Sequence, residues 1–122
     1  MSTQTIPSWL NEVFTIIDYK DAKDLSQFLT DDVEFCFGNQ PPIIGRAASI
    51  QAISDFFQAI ESLAHSIEDV ILDDERIVCR GRVTYTRFDG TILTTQFSNW
   101  FYLHGDLISR YMVFVDNSEL FR

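Results

Sequence analysis

An amide side chain interrupts the apolar face of a segment that otherwise has the pattern of a half-buried β-strand. Residues 93–103 read LTTQFSNWFYL, and alternate residues along one face are Leu93, Thr95, Phe97, Asn99, Phe101 and Leu103. An amide buried without a hydrogen-bond partner costs about 1–3 kcal/mol, so Asn99 needs either a protein partner or a ligand. Asn99 is therefore the first candidate for chemistry on this face.

The next strand along the chain contains candidate partners for this amide. A two-residue turn at 104–105 would place Arg110 directly opposite Asn99. The same parity turns three further side chains of this strand to the same face, namely Met112, Phe114 and Asp116. We expect Arg110 and Asn99 either to satisfy one another or to contact a ligand together, and the residues alone leave both open.

The preceding strand, 76–88, has two alternative inward faces. Alternation by apolarity turns inward Cys79, Gly81, Val83 and Tyr85. A two-residue turn at 89–90 would instead turn inward Arg80, Arg82, Thr84 and Thr86, which would make a cavity cationic and its ligand an acid. A three-residue loop over 88–90, with Gly90 at positive φ, keeps the apolar residues inside, and we prefer it.

Composition limits the classes of partner. The chain has 122 residues, is 46% hydrophobic with eleven Phe, and carries a net charge of −9, so we expect one globular domain over residues 1–122 that binds neither nucleic acid nor membrane. Cys36 and Cys79 lie inside strand patterns without metal or redox spacing, which is typical of buried thiols in a cytoplasmic protein. We therefore expect neither a signal peptide nor a segment that crosses a bilayer.

The order of elements predicts an α+β domain. Helical spacing of apolar residues predicts helices over 7–18 and 46–63, with a short helix over 21–29 capped by Asp21 between them. Alternation predicts strands over 33–37, 65–72, 76–88, 91–104 and 106–116. We therefore expect three N-terminal helices packed in a strongly curved, mostly antiparallel sheet.

Other chemistries lack their motifs. The sequence has no nucleophile elbow, no glycine-rich phosphate loop and no metal-ligand spacing, so we expect no cofactor and no metal. Of the two histidines, His104 is expected in solvent at a turn. His65 opens a strand, and it either reaches the rim of a cavity or is an ordinary surface histidine.

Three stretches carry a resemblance to a known family: DAKDLSQFLTDDVEFCFG, IGRAASIQAISDFF and LHGDLISRYMVFVD. Together with the order of elements, they resemble the nuclear transport factor 2-like superfamily, and within it the SnoaL-like polyketide cyclases and ketosteroid isomerases. The resemblance implies a cone-shaped α+β barrel with a mostly apolar cavity. It also implies frequent dimerisation through the sheet. The expected lining of the cavity is Phe35, Phe37, Phe57, Tyr85, Phe97, Phe101, Met112 and Phe114, which in such a cone are core residues as well.

The resemblance restricts the expected activity. The positions of the ketosteroid isomerase base and tyrosine are occupied by Phe37 and Val13, which can neither take a proton nor stabilise an oxyanion. Asn99 lies near the position of the carboxyl donor. SnoaL-like cyclases carry an acid near the end of the last strand, which makes Asp116 the matching candidate for proton transfer. A turn-forming aspartate is the alternative reading of Asp116.

Three functions fit these residues. The first is a small-molecule-binding domain, in which Asp116 acts with Asn99 and Arg110 on a carbonyl-containing substrate in the manner of a cyclase or isomerase. The second is a ligand-binding protein without turnover. The third is a dimeric assembly module whose cavity is filled by its own side chains. Trp100 and Tyr102 are expected on the outer face of the sheet, where they form either a homodimer interface or a shielded monomer surface.

Overall fold

Three helices pack against the concave face of a six-stranded sheet in the computed structural model, which describes residues 6–121. The elements are α1 Ser8–Asp18, α2 Ala22–Ser26, β1 Leu29–Phe37, β2 Ile43–Ile44, α3 Arg46–Gln58, β3 Ser62–Leu72, β4 Arg76–Thr86, β5 Ile92–His104 and β6 Leu107–Val115. The strand order is β2-β1-β6-β5-β4-β3, and among the strands of residues 6–121 only the β1–β6 pair is parallel. The predicted α+β fold is confirmed, although the sheet remains open and does not close into a barrel.

The helices begin and end close to where local chemistry dictates. Asp21 caps α2 as predicted, because its carboxylate accepts a hydrogen bond from the backbone N–H of Asp24 at 3.0 Å. Helix α3 stops at Gln58, earlier than predicted. The ammonium of Lys20 binds the carbonyl oxygens of Phe57 and Ile60, at 3.2 and 3.0 Å, and so satisfies the end of that helix.

The inward face of β4 is the apolar one, as preferred from the sequence. The loop 88–90 has three residues, Gly90 has a φ of 87°, and the backbone N–H of Arg87 donates to the carbonyl of Thr91 at 2.8 Å. This loop sets the register that pairs Cys79 with Asn99. The arginines of β4 consequently lie on the outer face, and the predicted apolar register is confirmed.

The predicted register between β5 and β6 is wrong. The two turn residues are Gly105 and Asp106, one position later than predicted, and this shift alone would preserve the face of each β6 residue. A bulge beside Tyr102 then inserts one further residue and reverses the parity. Asn99 therefore pairs with Val113 and not with Arg110. Three residues predicted on the concave face, Arg110, Met112 and Phe114, lie on the outer face.

The short strand β2 was not predicted from the sequence. No strand is predicted between the strand over 33–37 and the helix over 46–63, but β2 lies there and pairs with Glu34 and Phe35 of β1. Two residues are too few for an alternation pattern to be visible. The strand forms the outer edge of the sheet beside α3.

Strands β3 and β4 approach each other closely at Gly81. A Cβ atom built on Gly81 would overlap the backbone carbonyl oxygen of Ser66, so one of the two backbones would have to shift. The pairing of β3 with β4 shifts register just beyond this point, between Ile67 and Asp69. The contact and the bulge together bend this side of the sheet around the helices.

We predict that Gly81→Ala lowers the free energy of unfolding by more than about 3 kcal/mol, because two backbones must separate. Urea denaturation measures the change. Gly90→Ala is the matched control: it meets no neighbouring atom, and positive φ alone costs about 1–2 kcal/mol. Equal losses in the two variants would contradict the close approach at Gly81.

Candidate functional site

A cavity of about 330 Å³ lies between the helices and the concave face of the sheet. Its walls are mostly apolar and include Phe35, Phe37, Ile53, Phe57, Tyr85 and Val113. Gln40 and Pro41 line it and are exposed, so the loop after β1 marks its mouth. Ligand pockets in proteins span about 300–1,000 Å³ and combine apolar walls with a few polar groups, which is the composition seen here.

Asn99 is the buried amide of this cavity. The residue is 2% exposed, and its Oδ1 atom has no hydrogen-bond partner among the described residues. Cys79 and Val113 flank it on the neighbouring strands and offer it no strong partner. Because an amide can exchange its oxygen and nitrogen by rotation, Asn99 can present either an acceptor or a donor to a ligand.

Asp18 and His65 form a second polar group in the wall. Asp18 Oδ1 lies 2.6 Å from His65 Nδ1, and Asp18 Oδ2 accepts the backbone N–H of His65 at 3.0 Å. The His65 side chain is only 9% exposed and packs between Phe14 and Phe97, with ring centroids 4.8 and 4.9 Å away. No hydrogen bond to His65 Nε2 exists within residues 6–121, and His65 lines the cavity.

The sequence did not reveal this pair. Asp18 is the last residue of α1 and lies 47 positions before His65, so no local spacing connects them. The one usable signal was the alternation of Leu63 and His65, which turns both residues to the concave face. The structure therefore selects the cavity alternative for His65 over that of an ordinary surface histidine.

The phenols and the thiol near the cavity are neutral at neutral pH. Burial raises the pKa of Tyr85 to about 12 and also raises that of Tyr111 well above its usual range. Burial likewise raises the pKa of Cys79 to about 12. The two tyrosines can therefore donate hydrogen bonds, whereas Cys79 is no candidate for a nucleophile.

The predicted aromatic residues divide into two groups. Phe35, Phe37, Phe57 and Tyr85 line the cavity, as does Asn99. Phe97 and Phe101 are buried on the same face but belong to the supporting core. Phe97 packs against His65, and Phe101 packs against Trp9 and Tyr111.

Arg110 and its two neighbours on β6 do not line the cavity. Arg110 Nε donates to Glu34 Oε2 at 2.7 Å, and its guanidinium lies 5.4 Å from the centroid of the Tyr102 ring. Phe114 is 43% exposed on this outer face, and Met112 is half-buried there. Their predicted substrate contacts relied on the wrong β6 register.

Asp116 follows the end of β6 and forms a turn. Its Oδ1 accepts hydrogen bonds from the backbone N–H and the hydroxyl of Ser118, at 3.2 and 2.7 Å. It is exposed and does not line the cavity. The turn-forming alternative describes this geometry. The catalytic role of Asp116 stays a prediction. The prediction that Asp116 lies on the concave face of the sheet, from which that role was argued, is wrong.

Trp100 and Tyr102 lie on the outer face of β5, as expected. Their rings stack with centroids 6.4 Å apart and an interplanar angle of 25°.

Among residues 6–121, no three His, Cys, Asp or Glu side chains are grouped as a metal site. No helix in the same range has the length and apolarity of a membrane span.

Comparisons with known proteins agree with this fold. A protein described as a SnoaL-like polyketide cyclase from Jannaschia sp. CCS1 has a TM-score of 0.78 at 15% identity, over 98% of this chain and 94% of that one. TerC, co-crystallised with polyporic acid, has a TM-score of 0.77 at 15% identity over 92% of each chain. An NTF2-like protein of unknown function from Burkholderia pseudomallei K96243 has a TM-score of 0.81 at 18% identity, over 92% and 91%.

These identities establish similarity of fold alone, and a search among curated proteins finds no match. The family evidence comes from the sequence itself. The model of the SnoaL-like domain matches residues 10–111, which is most of the chain. The chain therefore belongs to the SnoaL-like domain family, as the resemblance implied.

Proposed function

We propose that this domain binds a small hydrophobic molecule that carries a carbonyl or a similar hydrogen-bonding group. The observation that carries the proposal is the unpartnered amide of Asn99 inside a mostly apolar cavity. An unsatisfied buried amide destabilises the empty protein by about 1–3 kcal/mol, and a ligand that completes its hydrogen bonds recovers that free energy on binding. A purely structural core would have an apolar residue there.

The charges around the cavity favour a neutral ligand. Within the described residues, the cavity wall contains no lysine or arginine, because Arg110 and the arginines of β4 lie on the outer face. The Asp18 carboxylate lies directly behind His65, and the chain has a net charge of −9. An anionic ligand would therefore be repelled, and we expect an aromatic or aliphatic ketone, lactone or amide instead.

The relatives support a ligand-binding role over a filled assembly module. The family model is that of a SnoaL-like domain, one fold relative is described as a polyketide cyclase, and another was co-crystallised with polyporic acid. A module filled by its own side chains would not retain about 330 Å³. Whether the ligand is also turned over is a separate question, and Asn99 serves a binding protein and a cyclase- or isomerase-type enzyme equally.

We predict that Ala52→Phe blocks binding, because Ala52 of α3 lines the cavity and a phenyl group would occupy it. The probe is the neutral fluorophore N-phenyl-1-naphthylamine, whose fluorescence reports transfer into an apolar site. Affinity should fall at least about tenfold, the equivalent of 1.4 kcal/mol. Ala48→Phe changes an exposed residue one turn earlier in the same helix that does not line the cavity, so it is the matched control and should bind as the natural protein does. Equal affinities for both variants would refute binding in this cavity.

We predict that Asn99→Leu stabilises the folded protein and removes its preference for a ligand with a carbonyl group. Removing the unpartnered amide should raise the free energy of unfolding by about 1 kcal/mol in urea denaturation. Isothermal titration with 2-acetylnaphthalene and 2-ethylnaphthalene compares a ketone with its hydrocarbon counterpart. The natural protein and the exposed-amide control Asn11→Leu should prefer the ketone, and Asn99→Leu should not. A retained preference, or a strong loss of stability, would argue against a ligand contact by Asn99.

We also propose that the domain forms a homodimer through its outer sheet face, where Trp100 and Tyr102 stack beside the exposed Phe114. Introducing a charge by Trp100→Glu should convert a dimer into a monomer in sedimentation velocity. Tyr19→Glu, which changes an aromatic residue that is 80% exposed at the end of α1, should leave the dimer intact. A monomeric natural protein would refute the proposal.

A further inference from the structure

We propose that residues 116–121, the segment after β6, form a strap that gates entry of ligands to the cavity, and that Arg87 holds this strap closed. The inference rests on the proposed ligand site and goes beyond it, since it names the part of the chain that controls access to that site. A ligand would enter or leave when the strap separates from Arg87.

The strap lies at the same end of the sheet as the mouth of the cavity. Strands β1 and β6 are parallel, so both end on the side where Gln40 and Pro41 mark the mouth. Strands β4 and β6 are both antiparallel to β5, so β4 also ends on this side. The strap leaves the end of β6 and reaches Arg87, directly after β4. It therefore passes across the start of β5, which lies between these two strands.

The guanidinium of Arg87 binds the far end of the strap. Its Nε donates to the carbonyl oxygen of Leu120 and its Nη2 to that of Glu119, both at 2.9 Å. Its Nη1 donates to the hydroxyl of Thr91 at 3.1 Å, which fixes the guanidinium on the loop between β4 and β5. Because the donors of a guanidinium form a rigid fork, the two carbonyls are held or released together.

The strap has hydrogen bonds of its own that do not depend on Arg87. Asp116 Oδ1 accepts from the backbone N–H and the hydroxyl of Ser118, and the backbone N–H of Leu120 donates to the carbonyl of Asn117 at 2.9 Å. These bonds keep the segment folded as a turn when its far end is released. The residues at the end of β6 then serve as the hinge, since hinges are a few residues at the ends of elements that absorb a change of φ and ψ.

Two side chains connect the strap to the interior. Leu120 is 1% exposed and belongs to the hydrophobic core. Phe121 packs edge-on against Phe56, with ring centroids 6.4 Å apart. Phe56 lines the cavity, and its ring also contacts those of Phe37 and Tyr85, at 5.8 and 5.9 Å. The strap therefore supports an aromatic wall of the cavity from outside, and its release frees Phe56 to move.

The loop after β1 borders the mouth as well, but it is more restricted. Pro41 and Pro42 fix two of its φ angles, and the backbone N–H of Gly38 donates to the carbonyl of Val113 at 2.8 Å, which ties the loop to β6. The strap, of sequence DNSELF, contains no proline. We therefore assign the opening movement to the strap. Because opening exposes Leu120, the open state is a minor one and limits the rate of ligand exchange.

Stopped-flow fluorescence with N-phenyl-1-naphthylamine tests the gate, since it measures the association and dissociation rate constants separately. Arg87→Gln should raise both about tenfold, because the strap opens more often in the free and in the bound protein. Their ratio, the Kd, should change less than about threefold. Arg76→Gln is the matched control. It removes an arginine that binds Asp73 at the opposite end of β4, and it should keep the natural rate constants.

Phe121→Ala tests the strap with Arg87 left in place. The ring of Phe121 is 63% exposed, so its removal should leave the fold intact and still raise both rate constants at least about threefold. Phe88→Ala, in the loop after β4 and 65% exposed, is its control and should change neither. Hydrogen exchange by NMR reports the strap itself: the N–H of Leu120 should exchange faster in Arg87→Gln than in the natural protein or Arg76→Gln.

The outcomes distinguish this inference from the proposed function. Faster binding and release in both strap variants, and in neither control, supports the gate. Binding with rate constants that neither Arg87→Gln nor Phe121→Ala changes overturns the gate and leaves the ligand site standing, even where Leu120 exchanges faster. Equal acceleration in the controls also overturns it. If Arg87→Gln does not fold, Phe121→Ala decides alone. Failure of the natural protein to bind the fluorophore overturns both proposals.

Discussion

The near contact between the backbones at Ser66 and Gly81 determines how the sheet can bend. Only glycine fits there, and the bulge that follows in β3 adds twist where the strands already crowd together. The opposite side of β5 has its own bulge beside Tyr102. A sheet bent in this way wraps around three short helices, and the helices do not fill its concave side. The hollow that remains is the cavity.

The polar side chain of Asn99 in that cavity lowers the stability of the folded protein. An apolar residue at position 99 would leave no polar atom unsatisfied, whereas Asn99 leaves its buried Oδ1 without a partner among the described residues. The protein instead retains this amide in a cavity wall that is mostly apolar. Such departures from the local rules are concentrated at functional sites, where binding free energy offsets them.

The sequence correctly predicted the structural features that depend only on residues close together in the chain. The alternation around Asn99, the three-residue loop ending in Gly90 and the Asp21 cap each follow from residues within a few positions, and each is present. The β6 register was lost because the bulge beside Tyr102 adds a single residue that no composition signal marks. Asp18 and His65 were missed as a pair because tertiary folding alone brings them together.

The cavity and the unpartnered oxygen of Asn99 lead us to propose above all a ligand held through that amide. A crystal structure of the protein with 2-acetylnaphthalene tests this most directly. We expect electron density for the ketone between the helices and the concave face, with its carbonyl oxygen about 3 Å from the Asn99 amide nitrogen. A cavity occupied by the protein's own side chains, or a ketone bound only on the outer face, would contradict it.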